Sequence, residues 1–174
     1  STPVTGTDFY PTLLELTGSS LKPEEHVDGV SLVPLLNGKT MEERPLVWHY
    51  PHYGNQGGRP SSILRLGKWK LIHYYEEDSQ ALYNLENDIE ETNDLATEYP
   101  GRVKEMHDQL FSLLEEMGAR YPQKDPEYNP ALEEEYLERI VNQRWPQLEK
   151  QRMRFLSEDF DPGNNWWGSK VTRD

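Results

Sequence analysis

The sequence predicts an α+β fold: a small four-stranded antiparallel sheet packed by a helix, with a helical extension after it. Three observations carry this expectation. Four short apolar stretches lie close together between positions 46 and 85, two of them separated only by Gly67-Lys68. After Pro100, apolar residues recur at every third or fourth position as far as Gly118, the period of a helix with one buried face. From about residue 119 the chain turns polar and irregular. A helix lying on an antiparallel sheet buries the apolar faces of both, which is the α+β arrangement.

The elements follow in order. Phe9-Tyr10-Pro11-Thr12-Leu13-Leu14-Glu15-Leu16-Thr17-Gly18 reads as a short helix. Asp8 or Thr7 can cap it, Pro11 is tolerated in its first turn, and Gly18 ends it. Leu13, Leu14 and Leu16 give it one apolar face. Asp28-Gly29-Val30-Ser31-Leu32 leads into Val33-Pro34-Leu35-Leu36-Asn37-Gly38, a helical turn closed by glycine.

The first strand is expected at 46–50, followed by a loop at 51–60 rich in Gly, Pro and polar residues. Strands two and three are expected at 61–66 and 69–75. The Gly67-Lys68 link has hairpin length with glycine first, as a type II′ turn requires. Trp69, Leu71 and His73 then face one way, and Lys70, Ile72 and Tyr74 the other. Glu76-Glu77-Asp78-Ser79 makes the next turn, and 81–85 is the fourth strand.

Positions 86–99 form a polar connection. Pro100 opens the main helix, whose packing face carries Val103, Met106, His107, Leu110, Leu113, Leu114 and Met117. Asn129-Pro130 then caps a charged helix that runs to about Trp145. Pro146 is expected to kink or end it, with 147–156 resuming helix. The tail carries Trp166-Trp167, most simply an aromatic anchor.

Composition sets outer limits. The 174 residues suffice for one ordinary domain. A net charge of -13 argues against nucleic acid and against an anionic membrane surface. The absence of cysteine removes disulfides, thiolate nucleophiles and zinc-thiolate sites. No apolar run approaches the roughly 20 residues of a membrane span. Ser1-Thr2-Pro3-Val4 reads as if cut from something longer, so a missing signal peptide says nothing about export.

Four of these stretches, in this order, resemble the C-terminal part of type I sulfatases of the alkaline phosphatase superfamily. They are the helix from Thr7-Asp8-Phe9 to Gly18, the Asp28-Gly29-Val30-Ser31-Leu32-Val33-Pro34-Leu35-Leu36-Asn37-Gly38 loop, the Ser62-to-Ile72 hairpin, and the strand with its acidic turn from Leu82-Tyr83-Asn84-Leu85 to Ala96. Ile89 stands where the family usually has proline. The likeness covers about 5–118. It implies three regions: 1–45, the end of a large catalytic domain; 46–118, the C-terminal α+β subdomain; and 119–174, a polar, partly helical tail.

The resemblance also implies an activity. Type I sulfatases hydrolyse sulfate esters with a formylglycine nucleophile, made from Cys or Ser in a Cys/Ser-x-Pro/Ala-x-Arg signature, and with calcium anchoring the sulfate. Neither signature nor calcium cluster can be placed here, so no catalytic and no metal residue is assigned. Calcium and formylglycine are expected in a catalytic domain outside this chain, which is also its expected partner. The other expected partner is a sulfated substrate, with glycans among the candidates. Many relatives are exported, which favours the periplasm or the extracellular space. In the family this subdomain borders the pocket.

The most site-like stretch is His49-Tyr50-Pro51-His52-Tyr53-Gly54-Asn55-Gln56-Gly57-Gly58-Arg59, a strand end opening into a glycine-rich loop. His52, Arg59 and His49 are its candidate substrate contacts, Arg59 because its planar fork suits sulfate or carboxylate. The competing reading is a structural loop whose histidines hydrogen-bond backbone. His49 and His52 do not suit a metal, since no third ligand lies near. Arg65, Lys68 and Lys70 are either a basic patch or solvated strand faces, and His73 and His107 are packing residues. Glu76-Glu77-Asp78 and Glu133-Glu134-Glu135 read as solvated surface. Two other functions fit the same residues: a stand-alone, non-catalytic glycan-binding or interaction module, or part of a phosphonate or phosphate monoester hydrolase of the same superfamily.

Overall fold

A computed structural model of the chain describes residues 2–54 and 58–161. They fall into two units, Ser1–Gln123 and Lys124–Asp174.

The first unit opens with a 3-10 turn, Gly6–Asp8, that runs into α1 (Phe9–Leu16). Asp8 does not cap α1 with its side chain. Its carboxylate is fully buried and gathers three segments instead. It accepts from the backbone N–H of Thr5 at 2.8 Å and of Val30 at 3.0 Å, and from Arg44 Nη2 at 2.5 and 2.6 Å. Thr12 extends the same junction, donating to Asp8 O at 2.6 Å and accepting from Leu32 N at 2.8 Å. Gly29 permits the close approach: a Cβ there would stand 2.2 Å from the carbonyl oxygen of Thr7. The short helix α2 (Val33–Leu36) ends at Gly38, whose φ of 72° is the left-handed value expected of a closing glycine.

The sheet is a meander of β1 (Leu46–Tyr50), β2 (Ser61–Leu66), β3 (Trp69–Tyr74) and β4 (Ser79–Asn84), every neighbouring pair antiparallel. The expected strands are all present. β3 ends one residue early and β4 starts two early, because Asp78 takes a left-handed φ of 46° and brings Ser79 opposite Tyr74. Gly67 has a φ of 56° and Lys68 is not in the left-handed region, the φ signs of a type II′ turn.

Register lines up Leu64, Leu71 and Leu82 across three strands. Met106, Leu110 and Leu114 of α3 (Pro100–Glu116) close over them, and all six are essentially inaccessible. Each such leucine stabilises the fold by roughly 2 kcal/mol over an exposed one. Trp69, Leu71 and His73 share this helix-facing side, as their alternation predicts. Met117 does not join the packing face of α3. It lies past the last turn and is 54% exposed.

The second unit contains α4 (Pro130–Arg139), a π-helical turn (Ile140–Arg144) and α5 (Trp145–Phe155) in one continuous helical run. Asn129 caps it, its side chain accepting from Ala131 N at 3.0 Å. The helix does not end at Pro146. A proline lacks an N–H and crowds the carbonyl four residues back. The wide turn just before it, closed by Trp145 N–H on Ile140 O, absorbs both defects. Trp166-Trp167 lies outside the described residues.

Candidate functional site at the β1–β2 loop

The meander places two connections at the same end of the sheet: the β1–β2 loop at 51–60 and the β3–β4 turn at 75–78. The turn holds the loop by both shoulders. Tyr53 Oη donates to Glu76, and Arg59 forms an ion pair with Glu77. Gly54 N–H donates to Gly58 O at 3.3 Å and closes the base. Glu76 and Glu77, which the sequence presents as solvated surface, are therefore structural partners of the loop. Their pairing depends on contacts 18 and 23 residues apart, which local charge patterning does not reveal.

Arg59 also lies over the ring of Tyr74, 4.4 Å from its centroid, a cation–π contact. Tyr74 belongs to the sheet face away from α3, which also carries the exposed rings of Trp48 and Tyr50. His52 is exposed, with its ring set edge-on to Tyr50 at 5.6 Å. No hydrogen bond engages its ring nitrogens among the described residues.

His49 faces the other way, toward α3, so the structure separates it from Arg59. Its Nε2 lies 3.0 Å from the carbonyl oxygen of Arg120 and its Nδ1 2.7 Å from Ser62 Oγ. A carbonyl only accepts, so Nε2 donates to it, while Nδ1 pairs with the Ser62 hydroxyl. The buried Ser62 hydroxyl in turn meets Tyr75 Oη at 2.7 Å. Burial, above all, holds the Tyr75 phenol above its ordinary pKa, which keeps it a donor. This chain of hydrogen bonds fastens the segment after α3 to the sheet.

Beside it stands His73, 4% exposed, edge-on to Tyr75, His107 and Phe111. The Gln80 amide reaches its Nδ1 at 3.1 Å. Burial first, then the neighbouring His107, push its pKa below the ordinary histidine value. Both His73 and His107 are packing residues. Lys70 is paired with Glu91 at 2.6 and 2.7 Å and Lys68 with Glu86 at 3.4 Å, while Arg65 Nε donates to Gly67 O at 3.5 Å, so two of the hairpin's three bases are compensated by carboxylates. Among the described residues no three His, Asp or Glu side chains converge as metal ligands. No described helix is long and apolar enough to cross a membrane.

The family pattern of the N-sulphoglucosamine sulphohydrolase C-terminal region matches residues 2–120. The chain belongs to that family. This sulphohydrolase C-terminal region is similar to a sulfatase of Formosa agariphila, 35% identical over 105 residues, covering 55% of this chain and 19% of the relative. It is also similar to arylsulfatase K of Danio rerio, 27% identical over 173 residues, covering 92% of this chain and 32% of the relative. That alignment takes in the helical extension, which the four motifs do not reach. Among solved structures, a protein in complex with its substrate D-glucosamine-2-N,6-O-disulfate matches with a TM-score of 0.53 and 27% identity, over 62% of this chain and 23% of that one. The chain thus spans about a fifth to a third of the length of these curated relatives and is a sulfatase C-terminal domain.

Proposed function

We propose that the protein carrying this chain hydrolyses sulfate esters, and that the β1–β2 loop supplies one wall of its substrate cleft. The observation behind this reading is a loop held at Tyr53 and at Arg59, with an exposed imidazole, His52, beside the first of these that no hydrogen bond engages among the described residues. A held loop shoulder that carries an exposed imidazole suits binding better than one whose side chains are all engaged. His52 is the principal contact. Arg59 is the second, its guanidinium held over the Tyr74 ring and shared with Glu77, so an anionic sulfate competes with that carboxylate for it. His49 is a post behind the loop, both nitrogens engaged.

The catalytic domain is the proposed partner. Phe9, Leu13 and Leu16 lie at helical spacing on α1 and are 64%, 58% and 57% exposed, an apolar stripe that suits burial against a larger body. Calcium and formylglycine belong to that domain in this reading. The substrate class is a sulfated glycan, supported by the disulfated glucosamine bound by the structural relative, and the compartment is periplasmic or extracellular. In the full-length protein, His52→Ala is expected to lower kcat/KM by roughly tenfold, the loss of a hydrogen bond to a charged group, with the melting temperature unchanged. Unchanged kinetics would remove His52 from the cleft.

A further inference from the structure

We propose that the helical run at 130–155 pairs antiparallel with the same run of a second copy of this chain. Leu137, Val141, Trp145 and Leu148 recur at steps of four, four and three along it and are 52%, 49%, 61% and 48% exposed. That spacing makes one apolar stripe. Among the described residues nothing within the second unit covers it, and helices in proteins draw most of their stability from packing an apolar face.

Charge selects the occupant and its direction. The first half of the run carries Glu133, Glu134, Glu135 and Glu138 with one base, Arg139, and the second half Arg144, Lys150, Arg152 and Arg154 with one acid, Glu149. This order suits the helix dipole by itself, but the dipole gives no reason for the stripe. A parallel copy sets like charge against like along the whole length. An antiparallel copy sets each acidic half against a basic half, and such juxtaposition fixes register and direction.

The midpoint of the run, between Asn142 and Gln143, is a natural two-fold axis. With the axis there, Leu137 meets the other copy's Leu148, Ile140 meets Trp145, and Glu133 meets Arg152. In the same register Glu135 meets Lys150, Val141 lies level with Arg144 rather than with an apolar residue, and the interface is the same patch on both copies. In the single chain Arg152 is held by Glu149 one turn away at 2.6 and 2.8 Å, which orients its guanidinium along the stripe's edge.

The chain has no cysteine, so a nitroxide can be placed at one position at a time in the full chain. With Asn142→Cys, the two labels of an antiparallel pair lie within about 20 Å of each other. With Ala131→Cys, they lie about 35 Å apart along the axis, from the 1.5 Å helical rise. Short distances at both positions would mean parallel pairing. Absence of an intermolecular distance at both would mean that the stripe docks on another body. Either result overturns the proposal. Sedimentation equilibrium supplies the second test. Glu133→Arg alone and Arg152→Glu alone should each weaken dimerisation by roughly tenfold or more, and the two together should restore it. A double variant no better than the single ones contradicts this register.

Discussion

At the scale of single residues, two buried groups set how the domain responds to pH and to substitution. His73 is 4% exposed and its pKa lies below the ordinary value near 6.5, chiefly through burial. The unfolded chain therefore takes up a proton at this residue sooner than the folded one as pH falls. Above the ordinary value His73 contributes no pH dependence. Stability declines as pH drops below about 6.5 and levels off below the depressed folded value. Thermal melts between pH 7 and pH 5 should show this fall, and His73→Gln should make it shallower. Asp8 is the other such residue. Its carboxylate is inaccessible and its cation, Arg44, is 24% exposed. Removing one member of a buried pair leaves an uncompensated charge, so Arg44→Ala should cost about 3–5 kcal/mol in a denaturant titration. A loss under 1 kcal/mol would show that Asp8 is sustained by its backbone donors alone.

At the scale of elements, the N-terminal helix and the 28–38 loop act as one piece because Gly29 lets the loop touch Thr7. Gly29→Ala puts a methyl 2.2 Å from a backbone oxygen that cannot swing away. It should lower the melting temperature by several degrees, while Gly6→Ala, where a Cβ meets nothing within 4 Å, should not. The strands were legible because each carries its own period. Leu71 and His73 alternate with Ile72 and Tyr74, and glycine marks the β2–β3 turn. The main helix was legible from Met106, Leu110 and Leu114. What the sequence hides is pairing at long separation. Asp8 has the local signature of a cap and does accept from Thr5 N–H, yet its other partners, Val30 and Arg44, are distant in sequence. Glu76 and Glu77 have the signature of solvent-facing acids, yet they clamp Tyr53 and Arg59. His49 looks like the neighbour of His52, but strand alternation sends it to the opposite face. Pro146 carries the usual sign of a helix stop, and only the π turn before it shows how the helix continues. The apolar stripes on α1 and on the 130–155 run are visible as patterns, and their exposure is not.

At the scale of the whole molecule, a sheet with α3 on one side and aromatic rings on the other presents a clamped loop at one end. Its chain carries neither a cysteine nor a described metal cluster. On the proposed reading the chain shapes a cleft and leaves sulfur–oxygen cleavage to another domain. The most direct measurement compares hydrolysis of an aryl sulfate, with calcium present, by the isolated 174-residue chain and by the full-length protein that contains it. The account predicts turnover by the full-length protein and none by the isolated chain. Metal-dependent turnover by the isolated chain, surviving purification and abolished by substitutions within 51–60, would contradict it.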